Sequence, residues 1–220
     1  MNIVAIVPIN ELAHAKSRLA EHVSDATREH LVFWMAGRVL AVLKESGAVQ
    51  RCTVVSPDER VLTWARGQQV ETVLQTSTGL NAALEDARRL IIATDTEAIL
   101  VVHADLPEIT AADIRDLTEL ASDGQMVRLR VVLAPDRRDE GTNALLVTPP
   151  DMLTFGFGRS SFSRHMAAAR ASGVEPHVFR SHGTMHDVDT LDDVGRLQMT
   201  FTTTPDGRAG IQFQRRQEVV

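Results

Sequence analysis

Short, unbroken apolar runs alternate with amphipathic stretches of helical period through the first 135 residues of this chain. IVAIV (3–7), CTVVS (52–56), VETVLQ (70–75), AILVVHADLP (98–107) and MVRLRVVLAP (126–135) read as strands. Between them, residues 25–46, DERVLTWARG (58–67), GLNAALEDARRLIIAT (79–94) and AADIRDLTELAS (111–122) read as helices. In the first helix Leu31, Met35, Val39, Val42 and Leu43 share one face; Ser24 or Asp25 is placed to cap it and Gly47 to end it. Strict β-α alternation implies right-handed crossovers and a parallel sheet. Strands apolar on both faces imply helices on both sides of that sheet. After residue 140 the order loosens: NALLVTPP and EPHVFRS read as strands around a helix at SRHMAAARAS, and one of these late strands is expected to run antiparallel. TLDDVGRLQ reads as a short closing helix. The expected fold is therefore α/β, a mixed and mainly parallel sheet with helices on both faces.

With 220 residues the chain suits one domain, expected over 1–198, followed by an extension at 199–220. The extension, MTFTTTPDGRAGIQFQRRQ, has two alternating segments around a Pro/Gly turn and reads as a β-hairpin, a candidate contact for a homodimer. A net charge of −6 argues against a nucleic-acid binder with a broad basic surface. Cys52 is the sole cysteine, which excludes a disulfide framework and a cysteine zinc site and leaves a small core residue. No apolar run approaches the ~20 residues of a membrane span. Without signal-peptide features at the N-terminus, the expected location is the cytoplasm.

Open α/β sheets bind ligands beyond the C-terminal ends of their strands. There the first strand is followed by VPINELAHAKSRLAEHV (8–24), whose Lys16 and Arg18 suit an anion. The fourth strand ends in HADLP, and a carboxylate at Asp105 needs a partner, for which Mg2+ is chemically apt; alternatively Asp105 only shapes the turn before Pro107. His103 reads more readily as structural. In HDVDT, Asp187 and Asp189 would share one face of an extended segment and, with Asp105, form a three-carboxylate magnesium site; the plainer reading is a turn in which Asp189 or Asp192 caps the last helix. GTNALLV (141–147) offers Gly141 for close backbone approach and Thr142 and Asn143 as polar groups for a phosphate or carboxylate. FGFGRSSFSRH (155–165) offers a small-residue loop at a helix start, suited to an anion or simply to capping by Ser160 or Ser161. GLNAAL, with Gly79 and Asn81, could admit a nucleobase edge. No dinucleotide-binding glycine fingerprint, Walker loop or serine nucleophile elbow is present.

VPIN…AKSRLA, GLNAAL, HADLP, GTNALL, FGRSSFSRH and HDVDT, in this order, resemble the 2-phospho-L-lactate guanylyltransferase family of coenzyme F-420 biosynthesis over about residues 1–195. The resemblance implies a GT-A-like, Rossmann-like nucleotidyltransferase fold. It also implies transfer of GMP from GTP to 2-phospho-L-lactate, phosphoenolpyruvate or 3-phosphoglycerate, with release of pyrophosphate. Carried over by position, Pro8, Lys16, Arg18, Gly79 and Asn81 would hold the nucleotide, with Lys16, Arg18 and Asp105 catalytic. Asp105, Asp187 and Asp189 would hold Mg2+, and Thr142, Asn143, Gly158 and Ser161 the phosphorylated acid. Asn10 stands where the family usually has lysine, Gly156 rivals Gly158, and the tail is longer than the resemblance leads one to expect. The alternatives are a nucleotidyltransferase acting on a sugar phosphate or molybdopterin, and a non-catalytic GTP-binding domain.

Overall fold

The computed structural model describes residues 1–121 and 129–197, together with the backbone of residues 199–203 and 209–213. Seven strands form the main sheet: β1 (Ile3–Pro8), β2 (Arg51–Ser56), β3 (Glu71–Leu74), β4 (Ala98–Val102), β5 (Arg130–Pro135), β6 (Thr142–Thr148) and β7 (His177–Val178). Their order is β3-β2-β1-β4-β6-β5-β7. All neighbours pair in parallel except β6, which is antiparallel to both β4 and β5. The expected antiparallel late strand is thus β6. Its reversal brings the start of β6 beside the end of β4, where Ala144 pairs with Val102.

Strand alternation divides the core. Ile3, Ala5 and Val7 face a layer built from α1 (Asp25–Ser46), α2 (Glu59–Gly67) and α4 (Ala111–Glu119). Val4 and Ile6 face α3 (Leu80–Ile92) and α5 (Ser161–Ala171). This is the two-sided cover that the apolar strands demand. Ser24 caps α1 by accepting from the Thr27 N–H, and Gly47 ends it in the left-handed region at φ 67°. Thr110 and Asp113 form a reciprocal capping box on α4.

Several local expectations are corrected. The segment 175–181 contributes only two strand residues, and a short helix α6 (His182–Met185) follows, capped by Ser181. The closing helix α7 (Leu191–Arg196) is capped by Thr190 with Asp193, not by Asp189 or Asp192. Strands β8 (Met199–Thr203) and β9 (Ala209–Phe213) pair antiparallel. Their side chains and the turn between them lie outside the described residues, as does the expected start of the fifth strand at 126–128. Among the described residues no helix is long and apolar enough to cross a membrane.

Candidate active site

The chain visits β1, β2 and β3 on one side of the sheet and then returns through α3 to place β4 on the other side of β1. The ends of β1 and β4 therefore flank a topological switch point, where an open α/β sheet leaves a crevice. A cleft of about 500 Å³ lies there, walled by Pro8, Asn10, Lys16, Arg18, Gly79 and Asp105, among others.

Two 3-10 turns, Leu12–His14 and Ser17–Leu19, carry the chain back over the sheet edge. Lys16 lies between them at φ 51°, a left-handed conformation uncommon for a residue with a side chain. Its ammonium is buried and bridges two carboxylates, 2.6 Å from Asp105 Oδ2 and 2.9 Å from Asp189 Oδ1. Burial disfavours charge on Lys16, but Asp105 and Asp189 outweigh it and hold the ammonium above its ordinary pKa. For Asp105, burial favours the neutral acid, and the charge of Lys16 outweighs that too, so its pKa falls. Both groups are ionised at neutral pH. Arg18 Nη1 donates to Asp189 Oδ2 at 3.2 Å from an exposed position, where an ion pair contributes little.

Asp187 and Asp189 line different hollows, in a segment that is not a strand, yet each lies within charge range of the other. Asp189 walls the cleft. Asp187 lines an adjoining hollow with Glu108 and His182 and lies 3.5 Å from Asn143 Nδ2. Among the described residues no three His, Cys, Asp or Glu side chains gather as a metal-binding set; the expected trio is not preassembled. What the structure offers is narrower. Asp105 keeps a buried Oδ1 with no hydrogen-bond partner, and burial together with the nearby Asp105 charge raises the pKa of Asp187. These two acids fit Mg2+, which commonly takes one or two carboxylates and completes its shell with water and phosphate oxygens.

The residues expected to hold the acid form a second cluster. Thr142 donates its N–H to Ser161 Oγ at 2.9 Å, and its hydroxyl lies 3.0 Å from His165 Nδ1. The Gly156 N–H donates to His165 Nε2 at 3.0 Å. A main-chain N–H can only donate, so Nε2 is the bare nitrogen and the neutral ring carries its hydrogen on Nδ1. Asn143 donates to Thr184 O at 3.0 Å, and its own carbonyl accepts from the His103 N–H. Gly158 adopts φ 112°, beyond the reach of ordinary side chains, and Ser160 begins α5 in the left-handed region without a side-chain cap. Neither Ser160 nor Ser161 is a plain capping residue.

Two other expectations change. Gly141 does not make room for a ligand: a Cβ there would meet Asp136 Oδ2 at 2.8 Å. That carboxylate accepts from the N–H groups of Arg138, Glu140 and Gly141 and closes the loop. Asn81 exchanges two hydrogen bonds with the Phe157 backbone, at 3.0 and 2.7 Å, and so ties α3 to the 155–158 loop. Gly79 does wall the cleft, at φ 93°. Sequence reasoning passed over His165 and Gln75, the latter a cleft residue just beyond β3. His165 takes its role from Thr142 and Gly156, well before it in sequence, whereas Gln75 is held by nearby Ser77 and Gly79, and no familiar motif marks either.

Comparison with known proteins gives the family and the fold. A phosphoenolpyruvate guanylyltransferase of Rubrobacter xylanophilus is 38% identical over 216 residues, covering 98% of this chain and 99% of its own. The match to that relative therefore extends into the C-terminal stretch. A 2-phospho-L-lactate guanylyltransferase of Methanothermobacter thermautotrophicus is 33% identical over 198 residues, 90% of this chain and 84% of its own. Among solved structures, a nucleotidyl transferase from that archaeon superposes with a TM-score of 0.59 at 19% identity, over 89% of this chain and 95% of that one. It shares the fold. The family model described as "Guanylyl transferase CofC like" matches residues 3–206, and the chain belongs to that family.

Proposed function

We propose that this protein transfers GMP from GTP to the phosphate of a small phosphorylated three-carbon acid, releasing pyrophosphate, as a step of coenzyme F-420 biosynthesis in the cytoplasm. The observation that carries this reading is the buried Lys16 ammonium held between Asp105 and Asp189 at the switch-point cleft. Such a site brings fixed positive charge and an incompletely partnered carboxylate to one place, which is what a magnesium–triphosphate complex requires.

The acceptor phosphate is an oxyanion near neutral pH and needs no strong general base. One of its oxygens attacks the α-phosphorus of GTP in line. A new P–O bond forms, the bond from the α-phosphorus to the bridging oxygen breaks, and that oxygen leaves on pyrophosphate. Two polyanions must meet, so positioning and charge neutralisation carry the catalysis. Lys16 and Arg18 would exchange contacts with Asp189 for phosphate oxygens as charge builds on the leaving group. Thr142, Asn143, Gly158 and Ser161 would hold the acid. Mg2+ on Asp105 and Asp187 would neutralise the phosphates and polarise the α-phosphate.

The test is pyrophosphate release from GTP and Mg2+ by purified protein, with phosphoenolpyruvate, 2-phospho-L-lactate and 3-phosphoglycerate supplied in parallel and the product weighed by mass spectrometry. Phosphoenolpyruvate is the first acceptor to try, because relatives at up to 38% identity carry its name. A guanylylated acid of the matching mass is expected. No turnover with any of the three would overturn the reading.

A further inference from the structure

Every nucleoside triphosphate carries the same phosphates, so the Lys16 cluster cannot choose a base. Another wall of the same cleft is built from Gln75, Gly79, Leu80 and Ala83, between the end of β3 and the first turns of α3. Gln75 is the polar side chain of that wall. Its backbone N–H donates to Ser56 O at 2.9 Å, which extends the β2–β3 pairing by one residue and fixes the Cα to the sheet. Its side-chain Nε2 donates to Ser77 O and, at 3.3 Å, to Gly79 O. Main-chain carbonyls only accept, so the two ends of this amide are assigned by their partners rather than by choice. Both amide hydrogens are committed to the loop. Among the described residues Oε1 has no hydrogen-bond partner. Turning the amide over would leave two carbonyls facing an oxygen, so the group can offer the cleft an acceptor and nothing else.

The pairing edge of guanine presents two adjacent donors, N1–H and the 2-amino group. Adenine seated in the same way presents a bare nitrogen at position 1, whose lone pair would face Oε1, while its 6-amino donor lies on the far side, where guanine carries its carbonyl. A pinned acceptor is complementary to the first and repelled by the second, and sites built on such hydrogen bonds discriminate far better than apolar pockets. We propose that Gln75 Oε1 accepts from the N1–H and 2-amino edge of guanine and is the residue by which this protein selects GTP over ATP. The inference rests on the guanylyl-transfer reading for its ligand but not on any acceptor, so its test is a binding experiment.

Dissociation constants for GTP, ITP and ATP with Mg2+ would be measured calorimetrically on the full chain and on two variants. Gln75→Met removes both the acceptor and the pin. Gln75→Glu keeps an acceptor and loses the pin. The ratio of ATP to GTP dissociation constants should fall on the order of tenfold in Gln75→Met, the scale of one lost hydrogen bond. In Gln75→Glu it should fall less, by about threefold, since a carboxylate still accepts but the Ser77 and Gly79 carbonyls no longer hold it. An unchanged ratio in Gln75→Met overturns the proposal, and so does an equal fall in both variants, which would assign selection to the loop shape. If Gln75→Met fails to fold, the wild type still decides. ITP, which keeps N1–H, should bind between GTP and ATP, and ATP binding as well as ITP overturns the proposal. Selective GTP binding without transfer to any acid would sink the proposed function and leave this inference standing.

Discussion

Asp105 is pulled two ways, by burial toward its neutral acid and by the Lys16 ammonium 2.6 Å away toward the carboxylate, and the ammonium prevails. Removing this carboxylate separates catalysis from stability. Lys16 would keep Asp189 at 2.9 Å, and Asp187 would lose the like charge that raises its pKa. We therefore expect Asp105→Ala to fold normally and to lose on the order of 10²-fold or more in rate, the scale of one transition-state electrostatic group. Steady-state pyrophosphate release beside a thermal melt checks both halves; a folded variant with wild-type turnover would remove Asp105 from the mechanism. Cys52 gives the opposite kind of residue. It is buried on β2, and burial pushes its thiol up to about 11. A disulfide reagent at pH 8 should leave the native protein unmodified and titrate one thiol after denaturation; rapid labelling of the folded chain would contradict the core assignment. Lys16 and Asp105 were legible as charges beyond the ends of the first and fourth strands, and Asp189 as an acid of the HDVDT segment. That Asp189 would pair with Lys16 while Asp187 lines a different hollow was not, because both partners lie far off in sequence.

At the scale of elements, β6, the 155–158 loop and α5 are joined through one histidine. His165 is almost fully buried, accepts from the Gly156 N–H and lies 3.0 Å from the Thr142 hydroxyl, which pins the expected acceptor-binding residues to each other. Burial, with help from the Arg164 charge, lowers its pKa to about 4. The folded state therefore binds this proton less readily than the unfolded chain, whose histidine titrates near 6.5. Stability from this group is full above about pH 6.5 and falls as pH drops toward 4, by on the order of 2–3 kcal/mol at pH 4.5. Urea midpoints at pH 7 and 4.5 should show that loss in wild type and a clearly smaller one in His165→Gln. Equal losses would mean that the imidazole is not the titrating group. The helices and strands themselves were readable, since their periodicity is local and the caps of α1 sit where Ser24 and Gly47 predicted. The joins between elements were not. Asn81 looks like a ligand residue in GLNAAL, and only the fold reveals that Phe157, distant in sequence, takes one donor and one acceptor of its amide.

At the scale of the molecule, the cleft is closed by contacts between the two ends of the domain. Lys16 meets Asp189 across 173 residues of sequence, and the Asp105 carbonyl accepts from the Val188 N–H. A ligand seated there touches the ends of β1 and β2, the loops after β3 and β4 and the segment before α7 at once, so it reports on the whole cooperative unit rather than on one loop. Binding to the native state alone stabilises by mass action, about 2.7 kcal/mol at a hundred times the dissociation constant. For a chain of this length, each kcal/mol moves the melting temperature by roughly 2–4 °C. Saturating GTP with Mg2+ should therefore raise the Tm by about 5–10 °C. Mg2+ without nucleotide should do much less, because no three-acid set among the described residues is preassembled to hold it. Phosphate oxygens must complete the metal's shell, so the two ligands should stabilise together by more than the sum of their separate shifts. The Asp105→Ala protein should retain a GTP shift through Lys16 and Arg18 and lose the part that depends on Mg2+. Differential scanning fluorimetry over a matrix of GTP and Mg2+ concentrations reads all of this in one experiment. Strictly additive shifts in wild type, or an unaltered Mg2+ response in the variant, would show that Asp105 does not hold the metal. The absence of any GTP shift at millimolar concentration would remove the nucleotide from this cleft.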